Sequence, residues 1–151
     1  MLSEADLLAE RLERFATRAI AFSGTLARDG AGREIANQLA RCGPGIGANH
    51  RSARRARSRR EFISRLVVAL EEADESEYWL SETSDTGTAS GAELEWLLDE
   101  SRQLRAILSA SVATAKRNYK AAQRAKRKAR FSNRQILKSS NSQILKYQDP
   151  R

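Results

Sequence analysis

The stretch Ser58-Arg59-Arg60-Glu61-Phe62-Ile63-Ser64-Arg65-Leu66-Val67-Val68-Ala69-Leu70-Glu71-Glu72-Ala73-Asp74-Glu75-Ser76-Glu77-Tyr78-Trp79-Leu80 decides the fold. Ser58 followed three residues later by Glu61 is a capping-box pattern, in which a hydroxyl and a carboxylate satisfy the first free amides of a helix. From there Phe62, Leu66, Ala69, Ala73, Ser76 and Leu80 recur in steps of four and three, one inward stripe on a helix predicted over 59–83. Outward from it, the same spacing returns three times. Leu8, Leu12, Phe15, Ala19, Phe22 and Leu26 mark a helix over 3–28, capped by Ser3 and favoured at its start by Asp6. Ile35, Leu39, Cys42, Ile46, Asn49 and Ala53 mark a second over 32–55. Its middle holds Gly43-Pro44-Gly45 and Gly47, and because Pro44 lacks an amide donor a kink or local loosening is predicted near 40–44. A fourth helix over 91–128 follows Ser90, with Glu93 completing another box and Leu94, Leu97, Ser101, Leu104, Leu108, Ser111 and Ala115 inward. Residues 81–91, rich in Ser, Thr and Gly, form the longest connection.

No segment carries the period-two alternation of a strand, so the predicted class is all-α. Short turns between helices of similar length favour an antiparallel up-down-up-down four-helix bundle over 1–130, with a basic C-terminal extension. Residues 131–151 read as a flexible tail or a peptide that docks on a partner, in which Asn133-Arg134-Gln135-Ile136-Leu137-Lys138 is echoed by Asn141-Ser142-Gln143-Ile144-Leu145-Lys146. A chain of 151 residues buries a core without metals or disulfides, and its single cysteine, Cys42, agrees with a reducing compartment. The acidic start and the lack of a long apolar run predict a cytoplasmic protein without a membrane span.

The third and fourth helices carry more apolar surface than one seam uses. Ile63, Val67, Val68, Trp79, Trp96 and Ile107 lie well to either side of the inward rows. They read either as a wide core face with scattered exposed hydrophobes or as the interface of a homo-oligomer.

The net charge is +8, and it is segregated along the chain. Arg51, Arg54, Arg55, Arg57, Arg59 and Arg60 fall within ten residues, and Lys116, Arg117, Lys120, Arg124, Lys126, Arg127, Lys128 and Arg130 crowd the end of the fourth helix. Residues 66–101 contain no Lys or Arg and eleven acids. In an up-down-up-down bundle both basic clusters are expected at one end and the acids at the other. A basic pole of this kind attracts phosphate polymers, and an arginine-rich cluster grips phosphate through paired hydrogen bonds. Each run is otherwise read as a solvated face. Only Tyr119 and Phe131 offer stacking nearby, so backbone binding to RNA or DNA is expected rather than base reading.

The residues point away from catalysis and from any cofactor or metal. His50 is the only histidine and is expected at the surface, and a di-iron bundle needs Glu-x-x-His motifs that are absent. Gly43-Pro44-Gly45-Ile46-Gly47 lacks the lysine of a phosphate loop.

The run from Gly47-Ala48-Asn49-His50-Arg51-Ser52-Ala53 through Ser58-Arg59-Arg60-Glu61-Phe62-Ile63 to Glu72-Ala73-Asp74-Glu75-Ser76-Glu77-Tyr78-Trp79-Leu80 resembles the bacterial four-helix-bundle proteins named after 23S rRNA intervening sequences, over about residues 12–115. The resemblance implies an antiparallel bundle assembling as a homopentamer. It also implies a relation to accessory proteins of diversity-generating retroelements, whose basic pentamers bind nucleic acid and a reverse transcriptase. Ser52 departs from the pattern, standing where a glutamate is usual, and the basic extension after Lys116 is longer than the pattern requires. Two functions follow: a nucleic-acid-binding oligomer, or a protein-protein scaffold or accessory subunit of an RNA or reverse-transcriptase assembly that touches no nucleic acid itself.

Overall fold

The computed structural model describes residues 3–28 and 30–147, with side-chain burial defined through residue 138. Its four helices are α1 (Glu4–Ser23), α2 (Gly30–Arg54), α3 (Arg59–Asp85) and α4 (Ala92–Tyr147), and no strand occurs among the described residues. The chain divides into two compact units, Met1–Ala113 and Thr114–Arg151. The first is the four-helix bundle, and the second continues α4.

Local signals set the helix starts. Ser3 caps α1 in a reciprocal box with Asp6, its hydroxyl accepting from the Asp6 amide while the Asp6 carboxylate accepts from the Ser3 amide. Ser58 caps α3 by accepting from the Glu61 amide at 3.1 Å, but the Glu61 carboxylate reaches back to the amide of Arg57. The box expected at α4 is not built that way, because Glu93 gives both carboxylate oxygens to Arg18. The chain enters α4 through Gly91 at φ +110°, a conformation that a side chain would strain.

The helix ends differ more. α1 stops at Ser23 rather than near 28, with Gly24 as its cap and the hydroxyls of Ser23 and Thr25 taking the Ile20 and Phe22 carbonyls. Leu26 is still buried, from the turn. α4 runs to Tyr147 instead of closing near 128. Its apolar row stops at Val112, but the following residues are rich in Ala, Lys, Arg and Gln, good helix formers, with no Gly or Pro before Pro150. The part of the expected tail at 148–151 lies outside the described residues.

The inward rows meet as one core. Leu12, Phe15, Ala19, Ile35, Leu39, Cys42, Ile46, Leu66, Ala69, Ala73, Leu80, Leu97, Leu104 and Leu108 are all buried, as are the hydroxyl residues Ser76 and Ser101. Each hydroxyl donates to a carbonyl of its own helix, so neither is stranded. The ends of the rows depart from expectation. Phe62, in the first turn of α3, is 36% exposed, and Val112 rather than Ser111 is the buried residue at the far end of the α4 row. His50, expected at the surface, is only 7% exposed because it faces inward four residues after Ile46.

Chain direction is recorded by contacts between neighbours. Asp6 and Glu13 of α1 pair with Arg54 and Arg51 of α2, and Arg41 of α2 with Glu75 of α3. Glu77 of α3 meets Arg102 and Arg105 of α4, while Arg11 and Arg18 of α1 meet Glu100 and Glu93 of α4. With the approach of Gly45 to Glu72 and the pair Asp74–Arg105, rising numbers meet falling ones in each pair of neighbours, so the four helices run up, down, up, down in a closed square.

The predicted interruption at 40–44 does not occur, and α2 is helical across Pro44. The glycines there serve packing instead. A Cβ on Gly43 would stand 2.9 Å from Ala19 Cβ, and one on Gly45 would stand 2.9 Å from the Glu72 carboxylate, whereas one on Gly47 would meet Leu12 at an ordinary 3.8 Å. Gly43→Ala is therefore expected to destabilise the bundle by about 1–2 kcal/mol despite its better helix propensity. Gly47→Ala is expected to be neutral or to stabilise by up to about 1 kcal/mol. Urea denaturation of the two variants checks the contrast, and a Gly43→Ala protein as stable as the parent would remove the close-approach explanation.

Candidate nucleic-acid interface

The first arginine cluster is built from the last turn of α2, the four-residue link and the first turn of α3. Arg51 and Arg54 lie where the carbonyl end of α2 favours cations. Arg59 and Arg60 open α3, where the helix dipole favours anions, so their placement costs helix stability rather than adding to it. The structure brings all six arginines to one end of the bundle.

Two of the six are engaged by carboxylates of α1. Arg51 Nη2 lies 2.7 Å from Glu13 Oε1, and Arg54 Nη2 lies 2.6 Å from Asp6 Oδ1. The Asp6 carboxyl is held below its ordinary value by the Ser3 hydroxyl first and by Arg54 second. These pairs are solvent-exposed, a class worth about 0–1 kcal/mol each, so phosphate competes with them readily. Arg55, Arg57, Arg59 and Arg60 are exposed and make no ion pair among the described residues.

Between α1 and α2 at this end lies a cleft of about 430 Å³ whose rim holds Glu13, Arg51, Arg54 and Arg55. His50 lines it and also lines a second, more apolar cleft of about 490 Å³ with Leu7, Phe62 and Ile107. Burial lowers the His50 pKa, and the Arg54 charge lowers it further, so the ring is neutral at pH 7. The second cleft shows that residues 107–111 of α4 lie at the same end of the first unit as the α2–α3 link.

The second basic cluster belongs to the second unit. Lys116, Arg117, Lys120, Arg124, Lys126, Arg127, Lys128 and Arg130 are all exposed along about 20 Å of helix, and no acid occurs from Ser101 to Gln148. Arg117 bonds the Thr114 hydroxyl weakly, at 3.3 Å. Further on, Arg127, Arg130 and Arg134 surround Phe131, which is 65% exposed. Spacing of three and four puts these side chains on one face, an aromatic ring among guanidinium groups of the kind that stacks on a base.

The acids of 66–101 are more engaged than their number suggests. Asp74, Glu75, Glu77, Glu93 and Glu100 pair with arginines of neighbouring helices, which leaves Glu82, Asp85 and Glu95 at the α3–α4 end without ion pairs among the described residues. Arg18, which holds Glu93 and so lowers its pKa, also stands 3.5 Å over the Trp96 ring.

Ile63, Val67, Val68, Trp79, Trp96 and Ile107 are all half-buried in the single chain, a state compatible with either a wide core face or an interface. Sequence reasoning passed over Leu7, Ile20 and Tyr78, each about half exposed, the first beside inward Leu8 and the second beside inward Ala19. It also missed Asp6 and Glu13 as partners of the arginines, since 48 and 38 residues separate the pairs and no local pattern joins them. Burial pushes the Cys42 thiol pKa up, which keeps it protonated and unreactive in the core. Among the described residues no helix is long and apolar enough to cross a membrane.

No curated protein matches the chain. A crystal structure described as a protein of unknown function from the S23 ribosomal protein family of Bacteroides thetaiotaomicron VPI-5482 is 27% identical. The match covers 74% of this chain and 99% of that one, with a TM-score of 0.62. The family model of the 23S rRNA-intervening sequence protein matches residues 8–110, well over half of the chain, and therefore its whole bundle apart from the edges. The chain belongs to the 23S rRNA-intervening sequence protein family.

Proposed function

We propose that the chain is a non-enzymatic, oligomeric protein of the cytoplasm that binds the sugar-phosphate backbone of RNA or DNA. The observation that carries this reading is a cluster of six arginines at one end of the bundle, of which Arg55, Arg57, Arg59 and Arg60 have no ion-pair partner among the described residues. Two of these sit against the dipole of α3, a cost that a purely structural surface has no reason to bear. The basic stretch of the second unit, with no acid among its cations, acts on the same polyanion in this reading. The family name, with its reference to 23S rRNA, is in keeping with a nucleic-acid partner.

In the same proposal the half-buried Ile63, Val67, Val68, Trp79, Trp96 and Ile107 are covered by further copies of the chain. Five copies, and a reverse transcriptase as an additional protein partner, are what the retroelement resemblance implies. Light scattering is expected to give a single species several times the 16.9 kDa of the chain. A monomer at micromolar concentration would contradict the assembly.

Binding is expected to weaken steeply with salt, because phosphate contacts release counterions. Neutralising Arg54, Arg55, Arg57, Lys126, Arg127 and Lys128 together is expected to lower affinity for a DNA duplex at least about a hundredfold and to reduce the log-log salt slope by up to about 5. Fluorescence anisotropy across a salt series reads both quantities. No binding at low salt, or binding indifferent to salt, would contradict the proposal.

A further inference from the structure

We infer that the cleft between α1 and α2 seats the terminal phosphomonoester of a nucleic-acid strand. The inference rests on the nucleic-acid reading above and names what part of the polymer the first unit takes.

Three features of the cleft point there. First, its charge suits a dianion. Arg51, Arg54, Arg55 and Glu13 line a volume of about 430 Å³, within the range of small-ligand sites, for a net charge of +2. Asp6, bonded to Arg54 at 2.6 Å, offsets part of it. A terminal phosphomonoester carries about −1.5 to −2 at neutral pH, whereas an internal diester carries one charge.

Second, His50 lines the cleft while more than nine-tenths buried, and its ring takes no hydrogen bond from a described residue. The ring nitrogens are not sealed from solvent, so the N–H donor is open to a phosphate oxygen.

Third, the cleft is concave, with Gly47 and Leu12 among the residues that line it. Gly47 contributes no side chain to fill the space. An internal phosphate is flanked by a sugar on each side and must bring both into the concavity, whereas a terminal phosphate projects on one ester bond. The Glu13 carboxylate now occupies the position on Arg51 that a phosphate oxygen would take. The displaced Glu13 carboxylate, its side chain 63% exposed, passes to solvent.

The test uses the full chain and one short single-stranded RNA in two forms, with a 5′-phosphate and with a 5′-hydroxyl, labelled at the other end. The phosphorylated form is expected to bind about tenfold more tightly, the difference that one or two charge-assisted hydrogen bonds supply. Arg55→Ala is expected to abolish the preference. So is Gly47→Leu, which fills the cleft without removing a charge, with circular dichroism confirming that both variants fold. Equal affinity for the two RNAs would overturn the inference while leaving backbone binding intact. A preference that survives both substitutions would also overturn it, because the phosphate would then be read elsewhere. If neither RNA binds at low salt, the proposed function and this inference fail together.

Discussion

The bundle depends on how closely α2 approaches its two neighbours. At Gly43 the helix meets Ala19 of α1 at a separation that leaves no room for a methyl group, and at Gly45 it leaves space for Glu72 of α3 to lie across it. Alanine at 43 would push α1 and α2 apart and strain rows that are now fully buried, whereas alanine at 45 would displace the flexible Glu72 side chain. One consequence is visible at Glu72, whose Oε2 is buried without a hydrogen-bond partner among the described residues and whose carboxyl pKa is raised by burial first and by Glu75 second. Close packing at Gly45 thus comes with a partly desolvated carboxylate.

With α2 held in place, ion pairs along the sides fix direction and leave charge at the ends. Arginines 11, 18, 41, 102 and 105 each find an acid on an adjacent helix, so the waist of the bundle is largely neutral. Arg11 holds Glu100 through two hydrogen bonds, Nε to Oε1 and Nη2 to Oε2, and Glu100 is only 6% exposed. Among the charges that make no ion pair with a described residue are Arg55, Arg57, Arg59 and Arg60 at one end and Glu82, Asp85 and Glu95 at the other. Polarity in this unit therefore comes from which charges lack lateral partners as well as from where charge is dense in the sequence.

The seams were legible because burial on a helix imposes its period directly on the residues. Leu12, Phe15, Leu39, Ile46, Leu66, Leu80, Leu97 and Leu104 were all identified by spacing and are all buried. Spacing failed where the bundle ends, since a stripe continues on paper after its partners have run out, as at Leu8, Phe62 and Ser111. It also failed where one residue type has two uses. Gly43, Pro44 and Gly45 were read as a breaker, and their packing role depends on Ala19 and Glu72, distant in sequence. The six arginines of the interface could be listed from sequence, but the pairing of Arg51 and Arg54 with α1, and the inward turn of His50, could not. Those facts belong to the fold and appear only once the helices are assembled.

The central claim is that the arginine-bearing end of the bundle is where nucleic acid lies. The most direct measurement is photocrosslinking of a thiouridine-substituted RNA to the full chain, followed by mapping of the attached peptides. The account predicts attachment within 50–65 and along 114–138, with little elsewhere. Crosslinks concentrated on the α3–α4 connection around Glu82, Asp85 and Glu95 would contradict it.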